Sequence, residues 1–318
     1  MTGPEGTAGG VARADRIAAD WIAVDWGTSR LRAWALSDEG RILASAESSD
    51  GMGGLDRAEF EPALLALAGG WLAPGRATPV LICGMAGSRQ GWIEAPYRAV
   101  PCAPVARDGL AVAPVRDARL AVRILPGLSQ SAPPDVMRGE ETQIAGVIAR
   151  DPGFDGVVCL PGTHSKWARV SAGEVVGFQS FMTGEVFALL AGQSVLRHSL
   201  GATGWDEAAF AEAVLSALAR PEALAARLFA IRASELLTGP APGAARARLS
   251  GLLIGSELAA ARPWWLGQRV AIVGSGAVTG PYRTALGLLG VTAEVEDGET
   301  AALAGLIRAR SLLREDGR

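Results

Sequence analysis

Histidine is nearly missing from this sequence: its 318 residues contain two. A His-rich metal centre or a Ser-His-Asp triad has few ways to be built, so any metal chemistry should run on oxygen ligands. Cysteine is scarce as well. Cys83, Cys102 and Cys159 are an odd number at wide spacing, which argues against a disulfide framework and for a reducing cytoplasm. A charge excess is lacking too. The net charge of −3 comes from interspersed acidic and basic residues and leaves no electrostatic footprint for nucleic acid or an anionic membrane surface. No apolar run approaches the ~20 residues that span a bilayer. Met1 to Gly10 is Gly-rich, without the apolar centre of a signal peptide. What the chain does have is apolar content, 49% against 20% charged, enough to fill two domain cores of ordinary size.

One design occurs twice. Val24-Asp25-Trp26-Gly27-Thr28-Ser29-Arg30-Leu31 is an apolar strand, a tight Gly-Thr-Ser turn and the start of a second strand. Val157-Val158-Cys159-Leu160-Pro161-Gly162-Thr163-His164-Ser165-Lys166-Trp167 repeats it one domain length later. Each copy continues through a polar turn into a third strand, Arg41 to Ala46 and Glu174 to Phe181, so the repeating unit is a three-strand meander. Two such tips suit one nucleoside triphosphate held from both sides by backbone N–H groups and hydroxyls.

Between and after the meanders the pattern alternates strand and helix, as in an α/β fold. Asp56 to Trp71 has helical apolar spacing, and Pro79 to Cys83 suits a buried parallel strand. Gly84 to Pro104 is a long loop rich in Gly, Pro and aromatics, a length that points to a site. A helix is expected over Glu140 to Ala149, and Asp151-Pro152-Gly153 then breaks the chain. The expected organisation is a disordered tail over 1–18, a first domain over 19–150 and a second over 151–318. Asp206 to Leu237 and Arg246 to Ala261 are expected helices, and a last one, from about Glu299 to Leu313, should return to the first domain.

Asp25 closes a buried strand at the mouth of a glycine turn, where a carboxylate can hold Mg²⁺ through water against phosphates. Gly27 admits close backbone approach, and Thr28 and Ser29 add hydroxyls. Turn residues occur in hairpins without any ligand, but a second copy is hard to credit to turn chemistry. Gly162 and Thr163 offer the same donors and Lys166 adds an ammonium. His164 carries little weight, since a lone loop histidine is more often structural. Gly274-Ser275-Gly276 follows a strand as a dinucleotide fingerprint would, with Glu294 and Glu296 downstream. The spacing is off by one and too little chain follows for a Rossmann domain, so the turn better suits an adenosine lying against backbone. Glu140 and Glu141 open a helix, where acids complement the dipole anyway. At a domain boundary, one of them can instead serve as base for an attacking hydroxyl. Glu140 is first choice and Glu141 second. In the loop after Cys83, Arg89 can fork onto a carboxylate, Ser88 and Gln90 can read hydroxyls, and Trp92 or Tyr97 can stack on a sugar.

Taken together, Val24 to Ser29, Gly84 to Trp92, Met137 to Gln143 and Leu160 to Trp167 resemble the 2-dehydro-3-deoxygalactonokinases, within the sugar kinase/actin/Hsp70 superfamily. The resemblance implies two similar actin-like (ribonuclease H-like) domains with mixed sheets and a nucleotide cleft between them. It implies ATP and Mg²⁺ as cofactors, and phosphorylation of the 6-hydroxyl of 2-dehydro-3-deoxy-D-galactonate in galactonate breakdown. Related carbohydrate kinases place an aspartate after glycine ahead of the second phosphate loop, where this chain has Gly139-Glu140. The implied partners are ATP and a sugar acid, with no nucleic acid and no membrane, and a homodimer is left open. The competing functions are an ATP-switched binding protein and a phosphoanhydride hydrolase of the same fold.

Overall fold

The computed structural model describes residues 17–201, 203–239 and 241–314; the expected tail lies, up to residue 16, outside them. In chain order the strands and helices are β1 (Trp21–Trp26), β2 (Leu31–Leu36), β3 (Ile42–Ser48), α1 (Phe60–Ala68), β4 (Thr78–Gly84), β5 (Tyr97–Ala99), β6 (Ala111–Val112), β7 (Leu120–Ile124), β8 (Gly127–Ser131) and β9 (Pro134–Met137). There follow α2 (Glu140–Arg150), β10 (Gly156–Leu160), β11 (Ser165–Ser171), β12 (Glu174–Phe181), α3 (Thr183–Gln193), α4 (Glu207–Ala219), α5 (Leu224–Thr238) and α6 (Ala244–Ala260). The chain closes with α7 (Arg262–Trp265), β13 (Val270–Gly274), α8 (Gly276–Leu288), β14 (Ala293–Asp297) and α9 (Gly298–Arg314).

Two compact units result. The first holds the described residues up to Glu94 and Val112–Ile124; the second holds Ala95–Ala111 and the described residues from Leu125 on. In the first, the sheet order is β3-β2-β1-β4-β7-β6, with β1–β3 antiparallel and β4 parallel to β1. In the second it is β12-β11-β10-β13-β14, again a meander with a parallel strand on the far side of its first member. The repeat seen in the sequence is thus a repeat of topology. Central strands β1 and β10 are apolar almost throughout and buried along nearly their whole length, and β10 has helices on both faces. In the second unit Val157, Cys159 and Ile272 pack towards α4, α6 and α8, while Val158, Leu160 and Val273 pack towards α2 and α9.

The expected break near Arg150 is not where the units divide. Helix α2 belongs to the second unit because it packs closely on α9: a Cβ on Gly146 would stand 2.0 Å from the Ala301 carbonyl oxygen, and one on Gly305 1.9 Å from that of Thr142. The last helix, expected to return to the first domain, packs on α2, which lies in its own second unit. The expected loop of 84–104 contains a short 3₁₀ turn (Met85–Gly87) and strand β5. Strand β5 joins β8 and β9 in a small sheet that the sequence pattern does not show. Asp206 to Leu237 is two helices, interrupted at Arg220-Pro221, where proline withdraws a backbone donor.

Candidate functional site

The two Gly-Thr tips are built alike. At the first, Gly27 N–H bonds the Arg30 carbonyl at 2.9 Å, and the segment after β3 backs the turn: Met52 N–H donates to Gly27 O at 3.0 Å and Gly53 N–H to Thr28 O at 2.9 Å. At the second, the segment after β12 does the same. Glu185 N–H donates to Thr163 O at 2.9 Å, and Gly184 lies so close that a Cβ there would stand 2.1 Å from Gly162 O. Backing the carbonyls leaves Thr28 and Ser29, and likewise Gly162 and Thr163, on the surface.

Asp25 is partly buried at the end of β1. Its carboxylate meets Arg32 at 3.4 Å, and the Cys83 thiol lies 3.8 Å away. Among the described residues no three His, Cys, Asp or Glu side chains group to hold a metal ion. A single carboxylate still fits Mg²⁺, which keeps most of its waters and takes its remaining ligands from phosphate.

In the second unit Glu140 and Lys166 come together. Gly139, with φ of 106°, turns the chain into α2, a conformation glycine adopts without strain. Glu140 then reaches the Lys166 ammonium at 2.9 Å with one oxygen and accepts from Arg138 N–H at 3.0 Å with the other. Its side chain keeps 23% of its exposure, whereas Glu141 is 1% exposed and turned inward onto Gly139 N–H at 2.6 Å and the Thr142 hydroxyl at 3.0 Å. Burial, and then the Glu140 charge, raise the Glu141 carboxyl to about 7. Of the two, only Glu140 is placed to meet a hydroxyl from outside. Lys166 is not a free arm at the tip: it is 8% exposed and also donates to His164 O at 3.1 Å. The His164 ring turns to Glu185, with Nε2 and Oε2 2.5 Å apart.

A cavity of about 390 Å³ lies beside the second tip, between Gly162-Thr163, the first turns of α3 and α8, and α6. Gly274-Ser275-Gly276 leads into it through Ala277 and Val278. Ser275 caps α8 without a side-chain hydrogen bond, so N–H groups of the first helical turn face outward, where an anion is favoured. Phe187, Trp205, Arg246 and Tyr282 form other walls. These were missed in the sequence: Phe187, Arg246 and Tyr282 sit on helices whose pattern is that of packing, and Trp205 on the segment before α4.

The loop after β4 departs most from expectation. Trp92 is buried, with its ring stacked on Phe60 at 6.0 Å and its edge towards Trp26, so its face is taken and does not stand open to a sugar. Tyr97 lies in the second unit, and its ring carries the Arg138 guanidinium at 4.3 Å. Ser88 is buried and its Oγ has no hydrogen-bond partner. Gln90 is exposed, and Arg89 is 78% exposed with Glu94 at 3.4 Å. A groove of about 990 Å³, bordered by Arg57, Glu61, Trp92 and Glu94, adjoins this loop, and Arg57 donates to Arg89 O at 2.7 Å.

The model of a family described as 2-keto-3-deoxy-galactonokinase matches residues 25–309. A Rhizobium meliloti (strain 1021) protein, named a probable 2-dehydro-3-deoxygalactonokinase, is 42% identical over 295 residues, 91% of this chain and 96% of its own. The 2-dehydro-3-deoxygalactonokinase of Escherichia coli (strain K12) is 33% identical over 293 residues, 91% of this chain and 97% of its own. A crystal structure of a Sinorhizobium meliloti protein of the same assignment superposes with a TM-score of 0.83, at 42% identity, over 91% of this chain and 95% of that one. Component A of the Acidaminococcus fermentans (R)-2-hydroxyglutaryl-CoA dehydratase, 12% identical with a TM-score of 0.51 over 94% and 99% of the two chains, shares the fold alone.

Proposed function

The chain belongs to the 2-keto-3-deoxy-galactonokinase family, and from that premise we propose how its residues divide the work of phosphoryl transfer. It is a carbohydrate kinase of galactonate catabolism with an actin-like ATPase fold, acting on 2-dehydro-3-deoxygalactonate. The products are ADP and 2-dehydro-3-deoxy-6-phosphogalactonate.

The observation that carries the assignment of roles is the Glu140–Lys166 pair at 2.9 Å. It joins the start of α2 to the strand rising from the second tip, so an acceptor for a hydroxyl proton and a cation for a phosphoryl group stand side by side. Glu140 accepts the proton of the 6-hydroxyl as that oxygen attacks the γ-phosphorus, and Lys166 offsets charge on the transferring group. Gly162 and Thr163, with Gly274, Ser275 and Gly276, hold the nucleotide around the cavity of the second unit. Gly27, Thr28 and Ser29 are the corresponding phosphate donors of the first. Asp25 is the carboxylate for a hydrated Mg²⁺, whose chemistry when bound is to neutralise phosphate charge. Arg89 takes the sugar acid's carboxylate, exchanging Glu94 for it, with Ser88 and Gln90 beside it. The acid's own charge makes a guanidinium in this loop useful, and an ATP-switched binding protein would need none. Cys83, Cys102 and Cys159 form no disulfide, which fits a cytoplasmic setting, and among the described residues no helix is long and apolar enough to cross a membrane.

A coupled assay of ADP release over a panel of 2-keto-3-deoxy sugar acids tests the reading. ADP should form only when such an acid is present. Release at the same rate without acid would make the protein a hydrolase.

A further inference from the structure

This mechanism gives no role to Glu257, a buried ionisable group beside the cavity. Glu257, on α6, is 3% exposed and accepts four hydrogen bonds. Ser165 Oγ and Trp167 Nε1 donate from β11 at 2.8 Å each, the Tyr282 hydroxyl donates from α8 at 2.7 Å, and Thr183 Oγ1 donates from the first residue of α3. Oε2 takes the three hydroxyls and Oε1 the indole N–H, so both oxygens of the carboxylate are engaged. Burial raises its carboxyl while the four bonds oppose that shift.

The donors come from three elements, and all three lead to the same cavity. Ser165 is the residue after the tip Gly162-Thr163-His164. Thr183 and Tyr282 line the cavity themselves. Helix α3 buries none of its residues outright; Val186, Phe187, Leu190 and Ala191 pack partly buried against the core beside α6, and its first turn ties it to the tip and to Glu257. There Thr183 is tied to Glu257, while Gly184 and Glu185 meet the tip.

We propose that Glu257 is the positioning residue of the nucleotide pocket: its carboxylate fixes the phosphate-binding hairpin, the α3 wall and the α8 wall to one another. A pocket set in advance spares the ordering that binding would otherwise demand. The proposal rests on the reading that this cavity holds the nucleotide.

Two variants test it. Glu257→Gln keeps the volume but turns one acceptor into a donor facing hydroxyls, and Ser165→Ala removes a donor that does not line the cavity. The Kd for ADP by calorimetry and the KM for ATP should rise about tenfold in the first and about threefold in the second, sizes usual for disturbed buried hydrogen bonds. The KM for the sugar acid should stay put. The double variant should show less than the product of the two effects, because both act through one group. A merely structural role would lower the Tm and leave the ADP Kd unchanged in both variants, and that result overturns the proposal. If Glu257→Gln does not fold, Ser165→Ala decides alone: an unchanged ADP Kd overturns it. Ser250→Trp, which fills the cavity, should abolish ADP binding. Unaltered binding there would remove the pocket assignment and the proposal with it, whereas abolished binding beside a neutral Glu257→Gln would remove the proposal only.

Discussion

Glu140 and Glu141 are neighbours in sequence and differ in what surrounds them, and the difference should be visible in pH dependence. Glu141, raised from 4.5 to about 7, binds a proton more readily in the folded chain than in the unfolded one. Its contribution to stability is therefore full below the unfolded value and is lost as pH rises from about 4.5 towards 7. Thermal midpoints followed by circular dichroism should fall across that window in the wild type and fall less in Glu141→Gln. Equal slopes would mean that Glu141 does not hold a proton in the folded state. At Asp25, substitution by Asn should lower the rate and shift the Mg²⁺ titration, because an amide is a poorer partner for a hydrated hard cation. An unaltered titration would leave Asp25 as the Arg32 partner and no more. For Arg89, replacement by Ala should raise the KM for the acid with little effect on ATP, and Lys should rescue in part, lacking the planar fork. Equal losses on an acid and on a neutral sugar alcohol would assign Arg89 to loop shape.

At the scale of elements, the close approach of α2 and α9 is what holds Glu140 in place. Gly146→Val has no room for its side chain beside the Ala301 carbonyl and should destabilise by about 1–3 kcal/mol in urea unfolding. Gly287→Ala, on α8 with nothing within 4 Å of the new carbon, should be neutral or stabilising by up to ~1 kcal/mol. If Gly146→Val were as stable as Gly287→Ala, the helix contact would not be as tight as described. The same elements show what a sequence discloses. Both meanders were legible, because apolar runs such as Val157-Val158-Cys159-Leu160 ending in a Gly-Thr turn are local signals. Helix α3 was not, since Gly184 and Gly192 leave only the short apolar face of Val186, Phe187, Leu190 and Ala191 between them, and none of it is fully buried. Strands β5 and β9 are three and four residues long, below any readable period. The division near Arg150 was misplaced because a Pro-Gly breaker marks the end of a helix, while the unit it belongs to depends on α9, far along the chain. Of the candidate site, the turns at the two tips and the helix start at Glu140 were legible; the burial of Trp92 and the enclosure of Lys166 were not, being set by residues such as Phe60 and Glu140 that are distant in sequence.

For the molecule as a whole, two units with matching meanders each carry a Gly-Thr tip backed by the segment after the third strand, the duplicated design that the proposed function uses as a phosphate grip. ATP, binding the folded chain, should raise its stability by mass action, about 2.7 kcal/mol at a hundred times Kd. Thermal shift with and without ATP, in the absence of acid, checks that binding does not wait for the second substrate; no shift at saturating ATP would contradict it. The central claim is that Glu140, beside Lys166, takes the proton of the attacking hydroxyl. Its most direct measurement is kcat together with ATP affinity in Glu140→Gln. The account predicts a fall in kcat of ~10²-fold or more with ATP binding nearly intact, whereas a turnover rate near that of the wild type would contradict it.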